Sequence, residues 1–185
     1  MTALKTPVMT ADEFLEWCLT QEERYELVDG VPKMMTGARR AHDDVVVNGL
    51  AMLKGRLRGG PCRPFTADLA IAMPAGNIRR PDVLVDCGPF DADDLTAKTP
   101  VLVIEVLSRS TRQMDMLRKT AEYKTVPSMR YILLIDPDDV VAIFHSRLSD
   151  GHWTEVPLIG GETEVPMPDL NITLLLADFY EGTTI

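Results

Sequence analysis

Residues 99–113 read TPVLVIEVLSRSTRQ, and this stretch decides how the chain is to be folded. Val101, Leu102, Val103 and Ile104 form the most apolar run in the sequence, and Val106 and Leu107 continue it. Such a continuous run fits a strand covered on both faces. Glu105 interrupts it. Burying an ionised carboxylate without a partner costs several kcal/mol. The group must therefore be neutral, ion-paired or bound to a cation. One resolution is structural: Glu105 reaches water at the strand end or pairs with Arg109 or Arg112. The other is chemical.

Upstream, Asp82 opens a second apolar segment in RRPDVLV. If the segments at 82–86 and 101–107 pair, both carboxylates come to one edge of a sheet. Two carboxylates brought together repel, and a hard divalent cation relieves that repulsion. Downstream, Pro127 closes a helix expected over about 111–125, with Ser110 or Thr111 as its cap. Lys119 and Tyr123 are four residues apart and share one face of that helix. Met114, Leu117 and Ala121 are expected to form its core stripe. A helix starting directly after the Glu105 strand can fold back over it, bringing Lys119 to the carboxylates.

The remaining pattern supplies the frame. Thr10 and Glu13 make a capping box for a short helix burying Phe14, Leu15 and Cys18. YELVDGVPKMM reads as a hairpin turning at Asp29-Gly30. Residues 39–58 are helical in pattern, with Gly59-Gly60 as the stop. Leu69, Ile71 and Met73 alternate as in a strand. RYILLID and VVAIFHSR are strands joined by a polar turn, and HWTEVPL extends them. TLLLADFY is expected to be a short helix on the sheet. The result is an α/β (α+β mixed) architecture, a central mixed sheet flanked by helices.

The 185 residues suit a single domain, 1–185. No apolar stretch approaches the roughly 18 residues that span a bilayer, and no secretory signal pattern opens the chain. Cys18, Cys62 and Cys87 form no metal-binding spacing and are expected as reduced core residues in a cytoplasmic protein. The net charge of −9 argues against a protein living on nonspecific phosphate contacts. The charge is uneven, however: residues 33–65 hold seven basic side chains against Asp43 and Asp44.

The order of these motifs, PD, then E-V-L-S-x-S-T, then K-x-x-x-Y, resembles the PD-(D/E)xK nuclease superfamily. More closely it resembles the Uma2 family of restriction-endonuclease-like proteins, whose other marks are YELVDG, a helix-opening histidine (His42) and YILLIDP. The resemblance runs from about residue 8 to 180. It implies a restriction-endonuclease-like fold and a Mg²⁺-dependent endonuclease acting on DNA, with Mn²⁺ as a substitute. Asp82 and Glu105 would be the metal ligands, and Asp82, Glu105, Lys119, Glu26 and Tyr123 the catalytic set. The superfamily signature puts a lysine two residues after the glutamate, where this chain has Leu107; Lys119 would take its place from the helix. Arg39, Arg40, His42, Arg109 and Arg112 would meet nucleic acid, and a homodimer is expected by analogy. Two other readings stay open: a nuclease-fold binding or regulatory protein without chemistry, and a metal-assisted hydrolase of a smaller phosphoester.

Overall fold

The computed structural model describes residues 8–107 and 114–185, with the side chain of Met114 left aside. The first layer is small. Helix α1 (Ala11–Cys18) opens on the Thr10–Glu13 capping box, both of whose bonds form. Strands β1 (Tyr25–Val28) and β2 (Val31–Met34) are joined at Asp29 and Gly30, both with positive φ, +53° and +75°. That is the turn geometry whose twist matches a two-residue hairpin, and an Asp-Gly pair adopts it readily. Helix α2 (Arg40–Arg56) follows. Strands β3 (Arg63–Thr66), β4 (Ile71–Ala72), β5 (Ile78–Arg79) and β6 (Val83–Asp86) then lead to β7 (Pro100–Val106).

Helix α3 (Met114–Thr125) links β7 to β8 (Tyr131–Ile135). Next come β9 (Val141–Arg147), β10 (Trp153–Ile159), β11 (Glu164–Met167) and β12 (Ile172–Leu175). The main sheet has the order β10-β9-β8-β7-β6-β3, with β7 and β8 parallel and its other pairs antiparallel. A second sheet, β2-β1-β5-β4, stands beside it. The expected central mixed sheet with flanking helices is what forms.

Every residue of β7 and β8 is buried. The side-chain period of two divides β7 between two cores. Leu102, Ile104 and Val106 pack with Val45 and Leu53 of α2 and with Phe179. Val103 packs on the other face with Tyr123 of α3. Glu105 follows Val103 in the alternation and so points towards α3. Gly49 of α2 has no room for more, since a Cβ there would lie 2.9 Å from the Phe179 ring.

Three expectations need correction. Leu117 is 68% exposed and Ala121 is exposed, so they do not form the core stripe of α3. The face turned inward instead carries Met116, Lys119, Thr120 and Tyr123, because buried carboxylates await it there. The C-terminal TLLLADFY splits into the end of β12 and a 3-10 turn, Leu176–Tyr180, pinned by Asn48 donating to the carbonyls of Phe179 and Glu181. Finally, Cys62 and Cys87 form a disulfide, leaving Cys18 free. The β3–β6 register pairs Arg63 with Asp86, which sets the two cysteines opposite one another one step on. The disulfide removes the cysteine argument for a reducing compartment. The expected cap residues Ser110 and Thr111 lie outside the described residues.

Thiol titration of the unfolded chain without reductant should find one reactive group, and three after reduction. Reduction should lower stability by about 2–4 kcal/mol, as for a closed loop of this size. Three free thiols before reduction would contradict the cross-strand bond.

Candidate active site

The register Val83↔Ile104 between β6 and β7, continued by one residue, brings Asp82 level with Glu105. The backbone N–H of Val106 donates to Asp82 Oδ2 at 2.7 Å, tying that carboxylate to the Glu105 strand. His42, in the first turn of α2, brings Nε2 within 3.2 Å of the same oxygen. Burial opposes charge on the His42 ring, but the Asp82 hydrogen bond and charge, with Glu105 behind them, hold its pKa above the ordinary value.

Glu105 is 4% exposed. The Tyr123 hydroxyl donates to its Oε1 at 2.6 Å, and Lys119 Nζ approaches the same oxygen at 3.3 Å. The i,i+4 spacing on α3 thus delivers a phenol and an ammonium to one carboxylate oxygen. Burial drives the Glu105 pKa up to about 7; Lys119 and the Tyr123 bond pull it down, while Asp82 and Glu26 push it further up. Burial alone would discharge Lys119, yet Glu105 and Glu26 outweigh it and raise its pKa. Tyr123 is held well above the usual phenol range by burial and by the charges of Glu105 and Glu26, so it donates and does not ionise.

Glu26, from β1, closes the group. Its Oε1 lies 3.3 Å from Lys119 Nζ and accepts the Arg80 N–H at 3.0 Å. Its Oε2 accepts from Arg79 Nη1 at 2.9 Å. Glu26 is buried.

Among the described residues, no group of three or more His, Cys, Asp or Glu side chains is arranged to hold a metal ion. Any ion here would rest on two carboxylates, with main-chain oxygen, water and substrate completing the shell. Two observations fit that arrangement. Among the described residues, Asp82 Oδ1 and Glu105 Oε2 accept no hydrogen bond. The charges of Asp82 and Glu26 also add to the burial that raises the Glu105 pKa. Hard oxygen donors with open positions suit Mg²⁺ or Mn²⁺.

The family model Uma2, described as "Putative restriction endonuclease", matches residues 11–177. The chain belongs to the Uma2 family. Two Synechocystis relatives, both described as uncharacterized proteins, are similar along most of their length. One, slr1290, is 32% identical over 149 residues, covering 80% of this chain and 78% of the relative. The other, sll1609, is 24% identical over 176 residues, covering 93% and 99%. The crystal structure of "a putative nuclease belonging to DUF820" from Anabaena variabilis superposes with a TM-score of 0.72 at 18% identity, covering 92% of this chain and 97% of that one. At that identity the likeness shows the fold alone, and the Uma2 assignment comes from the sequence match.

The structure brings five anticipated residues together: Asp82, Glu105, Lys119, Tyr123 and Glu26. His42 joins them on Asp82 and is not a free surface contact. Arg39 is paired with Asp138 at 2.9 Å, and Arg40, largely exposed, lies 3.6 Å from Asp44. Arg109 and Arg112 lie outside the described residues. Asp68 pairs with Arg24 at 2.8 Å. Sequence reasoning missed Arg79 and Glu122, although the Arg79-Arg80 pair beside PD was a visible signal.

Tyr123→Phe should raise the Glu105 pKa further, because the lost bond favours the ionised form. It should also destabilise the protein by about 1–3 kcal/mol at neutral pH, where a buried charged acceptor loses its donor. Carbon-13 NMR of the glutamate carboxyls and thermal melts would measure both; an unmoved Glu105 titration would show that the phenol does not support it.

Proposed function

We propose that the protein is a Mg²⁺-dependent endonuclease hydrolysing DNA phosphodiesters, with Asp82 and Glu105 as the metal ligands. The observation that carries this reading is the meeting of Lys119 Nζ with Glu105 Oε1 at 3.3 Å, beside an Asp82 tied to the same strand. Asp82 Oδ1 and Glu105 Oε2 would hold the ion, with the Val106 carbonyl as a further candidate. A divalent ion bound there would make water more acidic and neutralise charge building on the phosphate.

The chain's own groups do the rest. Lys119 presents a charged donor to the attacking water or to the phosphate oxygens of the transition state. The ammonium needs to stand near the reacting atoms, and its origin on α3 instead of β7 does not alter that chemistry. Tyr123 holds Glu105 Oε1, so the other oxygen stays turned to the ion. His42 holds Asp82 Oδ2 in the same way. Arg40, the exposed cation at the start of α2, and Arg39 beside it are suited to backbone phosphates, and Arg109 and Arg112 extend that role by sequence.

Cleaving both strands needs two sites, so we take a homodimer as the working assembly. The outer strands β10 and β3 carry Pro157 and Pro64, residues typical of edges that do not pair further. A second copy would accordingly dock by a face. Among the described residues no helix is long and apolar enough to cross a membrane. A DNA substrate would be met in the cytoplasm. The second reading, a binding protein without chemistry, draws on Leu107 in the usual lysine position.

Plasmid DNA with Mg²⁺ or Mn²⁺ should be nicked by the wild type, and Asp82→Ala or Glu105→Ala should lose on the order of 100-fold or more, at least what loss of an outer support costs. Mn²⁺ affinity should rise as pH rises through about 7, because the Glu105 proton must leave before the carboxylate can bind. Glu105→Gln should weaken Mn²⁺ binding at every pH and show no such rise. Equal nicking by variants and wild type would expose a contaminant, and Mn²⁺ binding without any cleavage would favour the binding-protein reading.

A further inference from the structure

We propose that Glu26 is a positioning residue and not a metal ligand: Arg79 holds it so that it shares Lys119 with Glu105, and the site takes one divalent ion per chain. This rests on the metal-site reading above and goes beyond it by fixing the ion count and adding Arg79 to the machinery.

Both Glu26 oxygens are committed. Oε1 accepts the Arg80 N–H and meets Lys119, and Oε2 accepts from Arg79 Nη1. Arg79 is 1% exposed and gives two further donors to Glu122, with Nε at 2.6 Å and Nη2 at 3.1 Å. Glu122 is held in turn by Asn77 Nδ2 and Arg118 Nε, each at 2.9 Å. Arg118 also reaches Asp29, and Asn77 Oδ1 accepts the Asp29 N–H. A continuous set of charged bonds therefore runs from the hairpin turn, through Arg79, to the inward face of α3.

An ion that drew Glu26 to itself would strip the buried Arg79 Nη1 and the Arg80 N–H of their acceptor, which a low-dielectric interior resists. Asp82 and Glu105 differ, since among the described residues each keeps one oxygen clear of hydrogen bonds. Two clear oxygens suit one ion; a two-ion site needs ligands for both, some 3.5–4 Å apart. Lys119 is the group that gains from Glu26. Its stem is long and flexible, with three donors on a rotatable end. A carboxylate on each side, both at 3.3 Å, fixes where the ammonium stands.

The test counts Mn²⁺ by electron paramagnetic resonance in the wild type, Glu26→Gln, Arg79→Lys and Asp82→Asn, and follows plasmid nicking and the Lys119 ammonium signal by nitrogen-15 NMR. One Mn²⁺ per chain is expected in wild type and in Glu26→Gln, with affinities within about threefold, and none in Asp82→Asn. Glu26→Gln should broaden or erase the ordered ammonium signal and lower kcat by about tenfold with KM for DNA unchanged, the mark of an interaction made in the transition state. Arg79→Lys, which keeps the charge but not the fork, should fall between. Should it fail to fold, Glu26→Gln carries the test, since it leaves the Arg79–Glu122 contact in place. Two Mn²⁺ per chain, or loss of binding in Glu26→Gln equal to that in Asp82→Asn, would overturn this proposal alone. No Asp82-dependent Mn²⁺ binding in any form would overturn the metal-site reading and this proposal with it.

Discussion

Glu105 sits inside a strand that is otherwise wholly apolar, and the arrangement around it follows from the cost of keeping it there. Removing a carboxylate from water is unfavourable by several kcal/mol unless donors replace the solvent. Tyr123 and Lys119 supply two donors from a helix that follows the same strand, at 2.6 and 3.3 Å. This requirement turns α3. Its inward face is polar, and the apolar Leu117 is left outside. A helix packed by hydrophobic burial alone would have the opposite orientation.

Lys119 brings the same difficulty to a second place, since one ammonium between Glu105 and Glu26 cannot neutralise both. The small sheet answers part of it and adds to the rest. Through β1 it contributes Glu26, and through β5 the buried Arg79 that bridges Glu26 and Glu122. The hairpin at Asp29-Gly30 and the antiparallel β1–β5 pairing are thus parts of the site's support and not decoration on the main sheet. The proposed divalent ion would stand between Asp82 and Glu105.

Much of this was legible in the sequence because the informative residues sit within recognisable local frames. Glu105 is conspicuous against its apolar neighbours, Asp82 opens the next strand, and Lys119 and Tyr123 are related by helical spacing. The Uma2 resemblance, carried by those residues, agrees with the family match over residues 11–177. Arg79 and Glu122 were not legible, because their roles depend on two sheets and a helix meeting at distances that span 43 to 53 residues of chain. The α3 stripe was misread because apolar spacing normally marks the buried side. The Cys62–Cys87 bond was missed because nothing local joins cysteines 25 residues apart; only the β3–β6 register does so.

The most direct measurement is a crystal structure of the protein soaked in Mn²⁺, with anomalous scattering recorded at the manganese edge. The account predicts one peak between Asp82 Oδ1 and Glu105 Oε2, within about 2.0–2.3 Å of each, with Lys119 still beside Glu105. A peak elsewhere, or saturating Mn²⁺ with no density between those two carboxylates, would contradict it.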